Sequence, residues 1–242
     1  MDDIVDINTL FGPLPIASTD LAVDALLALM QKHKVQAACT LSTLGLLLDP
    51  TVGNAATRAA CEEHPELLPV ATLNPTMYFG DTEPLLRLAG DGFRLLRFFP
   101  GRQGWPIEFA PFRALLRCLD EAALPIMVDI EATGMISALA GLLETYPAPV
   151  ILMGVNVETL AEAIAVMRQR ENWHVETSRL LAPGVMQTVV ETVGVGRLLL
   201  GTGAPSRPIA SALQTLQHAG LSDADRKQVC AANARRILQL AA

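Results

Sequence analysis

The stretch LPVATLNP at residues 68–75 and the stretch GFRLLRFFP at residues 92–100 show the pattern that decides the fold of this chain. In each, a short apolar run ends in loop-forming residues, and an amphipathic segment lies between the two stretches. Short apolar runs and amphipathic segments alternate in this way from one end of the chain to the other, with no linker between them. This alternation predicts a parallel sheet with crossover helices.

The apolar runs predict eight strands, the number that closes an α/β barrel. They are Ile4–Asn8, Gln36–Leu41, Leu68–Leu73, Phe93–Phe98, Pro125–Ile130, Val150–Met153, Trp173–Thr177 and Arg197–Leu200. Such a barrel typically takes about 250 residues, and this chain has 242. We therefore predict an α/β fold with a single domain over residues 1–242, a (β/α)8 TIM barrel of regular or distorted shape. Its functional site would lie at the carboxyl ends of the strands.

The composition excludes several classes of function. Hydrophobic residues make up 51% of the chain and charged residues 18%, which predicts a globular protein with a large core. The net charge of −7 argues against a nucleic-acid partner, because neutralising phosphates takes clustered Lys and Arg. The uncharged stretch at residues 35–48 is shorter than the roughly 20 residues of a membrane span. The acidic amino terminus lacks the layout of a secretory signal, so we expect a cytoplasmic protein without a membrane partner.

Four pieces of the sequence, in their order and spacing, indicate a family. Two are the stretches 68–75 and 92–100, and the others are VETS at residues 175–178 and the carboxy-terminal part from Gly194 to Leu238. With these pieces the chain resembles the amidohydrolase-related family, the metal-dependent hydrolases and decarboxylases built on a TIM barrel. The resemblance covers nearly the whole chain and implies the same barrel here.

The resemblance also implies where a metal would bind, and those positions carry other residues. Strand one of the family reads Asp-x-His-x-His, whereas this chain reads DINTL at residues 6–10. The family's metal-binding positions fall on Asn8, Leu10, Asp129, Gly154 and Gly203. A divalent metal needs about three or four convergent N, O or S ligands, which the single carboxylate of Asp129 does not supply. We therefore predict no metal and no other cofactor.

The histidines of the chain do not restore a metal site. His33, His64 and His218 fall near predicted helix ends, and His174 falls near the start of strand seven. The start of a strand is the end of the barrel opposite to the expected site. We interpret these histidines as structural residues, a role that is favourable near a helix carboxyl terminus.

Two carboxylates on strand five are the predicted catalytic residues. Asp129 and Glu131 are two apart, so they share a face and point into the barrel mouth if the strand continues regularly. Two neighbouring carboxylates can have separated pKa values, one serving as general acid and the other as general base. The alternative is structural: Asp129 pairs with Arg97 on strand four, and Glu131 faces water.

Arg97 is the predicted anchor for an anionic substrate. It follows Phe93 and Leu95 at strand spacing, so it points into the mouth if those two fill the barrel interior. The planar guanidinium can give a carboxylate two parallel hydrogen bonds. Arg94 has the opposite parity and is expected to face the helices, and Arg102 is either a lid contact or a surface residue.

The remaining predicted substrate-binding residues are Asn8 on strand one, Glu176 and Ser178 on strand seven, and Thr202 after strand eight. These polar groups are either ligand contacts or a satisfied structural network, since buried polar groups need partners in both cases. Ser178 has no histidine placed to activate it as a nucleophile. The loop GTGAPS at residues 201–206 has a separate interpretation as a phosphate site built from backbone amides.

Two functional hypotheses follow from these residues. In the first, the chain is a metal-independent hydrolase of a small anionic lactone or ester, or a decarboxylase, that uses Asp129, Glu131 and Arg97. In the second, it is a catalytically inactive barrel with a ligand-binding, regulatory or assembly role. An open polar cavity favours the first, whereas the second is favoured by a mouth filled with the side chains of Leu10, Phe11, Phe99 and Trp105.

The expected partners are a small anionic organic molecule and a second copy of the chain. Barrels that resemble this one are often dimers, and Leu46, Leu47 and Leu48 are apolar loop residues. They suit either a homodimer contact or a lid over the mouth.

Overall fold

Eight parallel strands pair in the order of the chain and form a barrel in this computed structural model, which describes residues 3–15, 19–119 and 123–240. The strands are β1 (Val5–Phe11), β2 (Ala37–Ser42), β3 (Leu67–Thr72), β4 (Leu95–Phe98), β5 (Ile126–Asp129), β6 (Val150–Met153), β7 (Trp173–Glu176) and β8 (Leu198–Leu199). The amide of Ile7 donates to the carbonyl of Leu200 at 3.0 Å, which joins β1 to the end of β8 and closes the barrel. The predicted (β/α)8 TIM barrel is therefore confirmed.

Helices follow the strands and cover the outside of the barrel. Their ranges are α1 (Val23–His33), α2 (Leu44–Leu47), α3 (Pro50–Glu63), α4 (Glu83–Gly90), α5 (Pro100–Gln103), α6 (Ala110–Leu119), α7 (Met135–Leu142), α8 (Leu160–Met167), α9 (Val185–Val193), α10 (Ile209–Gln217), α11 (Asp223–Lys227) and α12 (Asn233–Ile237), with a π-helical segment, Gln228–Ala232, between the last two. Ser222 caps α11, since its hydroxyl accepts from the amide of Asp225. In the part of the chain that the structure describes, every helix is too short or too polar to span a bilayer.

The core has two layers, as the alternation of side chains along a strand requires. Leu95, Met127, Ile151 and Leu199 belong to one buried cluster and fill the inside of the barrel. The neighbouring strand positions pack outward against the helices in the other cluster, which contains the largest side chains, including Trp173 and Phe98. With its interior filled in this way, the barrel has room for polar side chains only at its ends.

β1 departs from a regular ladder where the site begins. Its register with β2 shifts between Asp6 and Thr9, which pair with Ala38 and Thr40. One extra residue therefore lies in β1 at this point, an irregularity that turns side chains in new directions and is frequent beside functional sites. The strand also runs on to Phe11, beyond the predicted end at Asn8.

Candidate functional site

Glu176 is the centre of a satisfied polar network at the end of β7. Its carboxylate is fully buried and accepts hydrogen bonds from the amide of Gly154 at 3.1 Å, and from the hydroxyl and amide of Ser178, each at 2.7 Å. Burial raises the pKa of Glu176, opposed by these hydrogen bonds and by the charge of Arg97. A side chain at Gly201 would lie 2.1 Å from Glu176 Oε2, so this glycine leaves the space that the carboxylate fills.

Asp6 is the centre of a second network, which joins β1 to the loop after β8. Its Oδ1 accepts from the amides of Asn8 and Thr202, each at 3.0 Å, and its Oδ2 accepts from the Thr202 hydroxyl. Complete burial raises the pKa of Asp6 from 3.8 to about 7, although these hydrogen bonds act in the opposite direction and only the charge of Glu176 adds to the rise. Asp6 therefore exchanges its proton near neutral pH.

Asn8 connects the two networks. Its side-chain nitrogen, Nδ2, lies 3.5 Å from the hydroxyl oxygen of Ser178, and both side chains are buried. The chain of contacts therefore runs from Asp6 through Asn8 and Ser178 to Glu176, across β1 and β7. Residues that are far apart in the sequence meet here because the barrel closes between β1 and β8.

Arg97 enters the mouth from β4 and has an unusual environment for a cation. It is only 5% exposed, its guanidinium carbon lies 4.6 Å from the centre of the Phe99 ring, and Nη2 contacts the sulfur of Met153. Among the described residues, nothing accepts a hydrogen bond from its buried Nε. Burial lowers the pKa of Arg97 to about 10, against the attraction of Asp129 and Glu176, so the side chain stays charged at neutral pH. A buried donor without a partner is costly and marks a place where a ligand atom can bind.

Asp129 is the last residue of β5 and the most accessible carboxylate of the mouth. Its Oδ1 lies above Gly154, where a side chain would come within 2.8 Å of it, and no described residue donates a hydrogen bond to its carboxylate. Burial raises the pKa of Asp129 from 3.8 to about 6, Arg97 opposes the rise, and the charges of Glu131 and Glu176 add to it. Asp129 therefore has free acceptor atoms and a pKa suited to proton transfer near neutral pH.

Glu131 does not share the mouth with Asp129. β5 ends at Asp129, so the regular strand that would place both carboxylates on one face is not present. Glu131 is exposed, and its carboxylate lies against Gly101, in an outer groove of about 450 Å³ that also contains Trp105 and Met135. It acts on Asp129 through its charge and not through a shared face.

The structure thus brings together Asp129, Arg97, Asn8, Glu176, Ser178 and Thr202, and leaves Glu131 at the rim. Asp6 also belongs to the site, although it was not among the residues predicted from the sequence. The information was available, since Asp6 is two residues before Asn8 on the same strand and is the first residue of the DINTL stretch.

The loop at residues 201–206 does not provide a phosphate site. The amide of Thr202 donates to Asp6, that of Gly203 donates to the carbonyl of Asn8 at 2.8 Å, and that of Ala204 donates to the Thr202 hydroxyl at 3.1 Å. Amides that already donate inside the protein are not available to an anion. The phosphate interpretation is therefore wrong for this loop, which instead closes the barrel.

The side chains named as fillers of the mouth separate into two groups. Leu10, Phe11 and Phe99 are buried at the carboxyl ends of their strands. Trp105 packs edge-on against Phe98, with ring centroids 6.4 Å apart, and so belongs to the layer between helices and barrel. The polar side chains of the mouth are covered except at Asp129.

The positions expected for metal ligands do not fit a metal. Leu10 is apolar and buried, a side chain at Gly154 would meet Asp129, and one at Gly203 would lie 3.1 Å from the stem of Arg207. Within residues 3–15, 19–119 and 123–240, no group of three or more His, Cys, Asp and Glu side chains is arranged to hold a metal ion. The donors that this barrel presents therefore do not suit a divalent cation.

The histidines lie where the sequence analysis placed them. His33 ends α1, and His64 and His218 follow α3 and α10. His174 is buried near the start of β7, with Nδ1 3.0 Å from the carbonyl oxygen of Asn172. Burial lowers the pKa of His174 to about 4, so it is neutral above that pH and takes no part in the mouth.

The three leucines at the end of α2 and just after it differ in exposure. Leu46 is buried, whereas Leu47 and Leu48 are 52% and 68% exposed. A homodimer contact or a lid can therefore use Leu47 and Leu48 but not Leu46.

Comparison with known proteins supports a common scaffold. A family model described as Amidohydrolase matches residues 7–240. A search of curated proteins gave no match. Among solved structures, the 2,6-dihydroxybenzoate decarboxylase from Rhizobium superposes with a TM-score of 0.78 at 17% identity, over 99% of both chains. A dihydroxybenzoic acid decarboxylase from Polaromonas, with bound manganese and 2-nitroresorcinol, has a TM-score of 0.77 at 16% identity, over 99% of this chain and 97% of that one. The 5-carboxyvanillate decarboxylase from Sphingomonas paucimobilis has a TM-score of 0.77 at 13% identity, over 100% of both chains. At these identities the similarity shows a shared fold.

Proposed function

This chain belongs to the amidohydrolase family, and on that premise we propose that its barrel mouth binds a small organic acid and decarboxylates it without a resident metal ion. The observation that carries the proposal is the pairing of Arg97, with its unpartnered Nε, and Asp129, with its raised pKa. The solved neighbours named as decarboxylases of dihydroxybenzoate and 5-carboxyvanillate support a hydroxylated aromatic acid as the substrate class.

Arg97 anchors the substrate in this proposal. Its Nε is a charged donor without a partner among the described residues, which is unfavourable in the free protein. An oxyanion of the substrate would accept a hydrogen bond from this Nε and remove that cost. The Phe99 ring covers one face of the guanidinium and fixes its plane. A substrate oxygen held in this plane has a defined position relative to Asp129.

Asp129 transfers the proton. In its protonated form it donates a proton to the substrate carbon that carries the carboxylate. The bond between that carbon and the carboxylate then breaks, and CO2 leaves. The electron pair of this bond stays on the substrate and replaces the pair that bound the proton. Asp129 remains as a carboxylate and recovers a proton from water. Its raised pKa allows both forms to be populated near neutral pH.

Hydrolysis of a small anionic lactone or ester is the second candidate, supported by the same pair of residues. As a carboxylate, Asp129 would take a proton from water as the water attacks the carbonyl, while Arg97 would stabilise the developing oxyanion. The two reactions need opposite protonation states of Asp129. Decarboxylation weakens as the pH rises through about 6, whereas hydrolysis strengthens over the same range.

The test is turnover of hydroxybenzoates and of small aryl lactones across this pH range. Asp129→Asn should leave binding intact and lower kcat by about 10²–10⁴-fold, the usual contribution of a general acid or base. Arg97→Ala should weaken binding, and Asp24→Asn, an exposed carboxylate on α1, is the matched control. Wild-type activity in both Asp129→Asn and Arg97→Ala would contradict the proposal.

A barrel that binds the same acid without turning it over is the alternative to an enzyme. It is supported by the burial of the mouth, where Asn8, Glu176 and Thr202 are covered and bonded to the protein. Calorimetry with the same acids separates the two cases. Binding that depends on Arg97, with no turnover at any pH, would establish the non-catalytic role.

A further inference from the structure

We infer that the guanidinium of Arg97 is the resident cation of this barrel mouth and supplies the positive charge that a metal ion would otherwise supply. This charge would hold the carboxyl groups of the mouth together whichever reaction the proposed site catalyses.

Three carboxyl groups act electrostatically on one buried cation. Asp6 from β1, Asp129 from β5 and Glu176 from β7 all attract Arg97, which comes from β4. Arg102, exposed just after β4, is the other charge that acts on Arg97, and Glu131 acts on Asp129 from the rim. Carboxylates collected in a space that excludes water repel one another, so their charged forms need a positive group inside the cluster.

The carboxylate oxygens of β1 and β7 already accept hydrogen bonds inside the protein. Both oxygens of Asp6 and both of Glu176 accept from backbone amides or hydroxyl groups. Asp6 Oδ1 and Glu176 Oε1 each accept two hydrogen bonds, so a metal bound at either oxygen would have to displace a donor, because a ligand oxygen must direct a free lone pair at the ion. It would also have to lie near Arg97, whose charge would repel it.

The guanidinium is held by an aromatic ring and by one sulfur acceptor, and one of its donors stays without a partner. The Phe99 ring lies against it, Met153 contacts Nη2, and Nε stays without an acceptor among the described residues. Arg97 thus combines a fixed positive charge with one donor that has no partner among the described residues. A catalytic metal ion is comparable, since it is positively charged and keeps one coordination position free for water or substrate.

The experiment compares wild type with Arg97→Met and Arg97→Lys, without using turnover. Protein dialysed against chelator is titrated with Mn²⁺ or Zn²⁺, and its melting temperature and metal content are recorded. For the wild type we expect no stoichiometric metal and no shift in melting temperature beyond replicate scatter. Retention of one metal per chain, with loss of thermal stability in chelator, would overturn the inference.

The pH dependence provides the second measurement. The three carboxyl groups lose their countercharge in Arg97→Met, so this variant should melt lower than wild type by a larger margin at about pH 8 than at about pH 5.5. Arg97→Lys keeps the charge and should restore most of the wild-type profile. A margin that is the same at both pH values would contradict the inference. Should Arg97→Met not fold, the Lys variant and the wild-type metal content still decide the question.

Discussion

The two sides of the barrel mouth treat their polar groups differently. On the side built from β1, β7 and the loop after β8, the carboxylates of Asp6 and Glu176 accept hydrogen bonds at both oxygens. On the side built from β4 and β5, Arg97 keeps a buried donor without a partner, and Asp129 receives no hydrogen bond from the described residues. Both sides carry charged residues in the sequence, and only the structure shows which of them have partners.

The difference separates a supporting structure from a site. Satisfied polar groups stabilise one arrangement and gain little from a ligand, since binding would exchange one partner for another. An unpartnered buried donor gains a full hydrogen bond when a ligand arrives. We therefore expect substitutions on the β1–β7 side to change stability, and substitutions on the β4–β5 side to change binding and turnover.

The largest change in stability is expected for Glu176→Gln. The amide of Gly154 donates to one oxygen of Glu176, and the amide of Ser178 donates to the other. Whichever way the Gln side chain is turned, its NH2 group faces one of these backbone donors, which is then left without an acceptor. We expect the free energy of unfolding to fall by about 3 kcal/mol, as measured by urea denaturation.

Asp129→Asn provides the matched control for this prediction. It makes the same chemical change on the β5 side, where no described residue donates a hydrogen bond to the carboxylate. It should change the free energy of unfolding by less than about 1 kcal/mol. Equal destabilisation by the two variants would remove the distinction between the two sides.

Asp6→Asn tests whether substitutions on the β1–β7 side of the mouth all reduce stability to the same extent. The side-chain oxygen of Asn can keep both amide donors, and its NH2 group can donate to the Thr202 hydroxyl, which is able to accept as well as donate. The variant should fold with little loss of stability. It should differ from wild type in its dependence on pH.

The direction of this dependence follows from the raised pKa of Asp6. Folded Asp6 keeps its proton up to pH about 7, whereas the unfolded chain releases it near its ordinary value of 3.8. Ionising the unfolded state first favours unfolding, so the wild type loses stability as the pH rises from about 4 to about 7. Between pH 5 and pH 8, the free energy of unfolding of Asp6→Asn should fall by on the order of 2 kcal/mol less than that of the wild type. Parallel stability curves would show that Asp6 does not hold its proton in the folded state.

The fold could be predicted because its determinants are local. Apolar runs at strand length and amphipathic segments between them can be read from short windows. β6 has the predicted bounds, Val150–Met153, and the other strands agree apart from their ends. β1 runs on past Asn8 because a shift in register and the closure of the barrel extend its pairing, and neither feature is visible in a local pattern.

The site could be predicted only in part because its partners are distant in sequence. Asn8 and Ser178 are 170 residues apart in the sequence, and Asp6 and Thr202 are 196 apart. Strand parity therefore indicated which polar residues face the mouth, but not which of them form hydrogen bonds with each other. The prediction from strand parity was wrong for Glu131, because β5 ends at Asp129 and the alternation of side chains does not continue to Glu131. The room for Glu176 beside Gly201 depends on close approach across the barrel, which a sequence does not show.

The smallest expected effect belongs to Glu131→Gln, which acts on the β5 side through charge alone. Glu131 raises the pKa of Asp129 without sharing its face of the barrel, so removing this charge should lower the pKa of Asp129. The midpoint of the pH–rate profile should move down by a few tenths of a pH unit, as expected for one exposed and screened charge. Stability should change by less than about 0.5 kcal/mol. Glu108→Gln, which removes an exposed carboxylate from the same groove, is the control and should leave the midpoint in place. Loss of turnover in Glu131→Gln would instead make Glu131 a second catalytic group that reaches the mouth when substrate is bound.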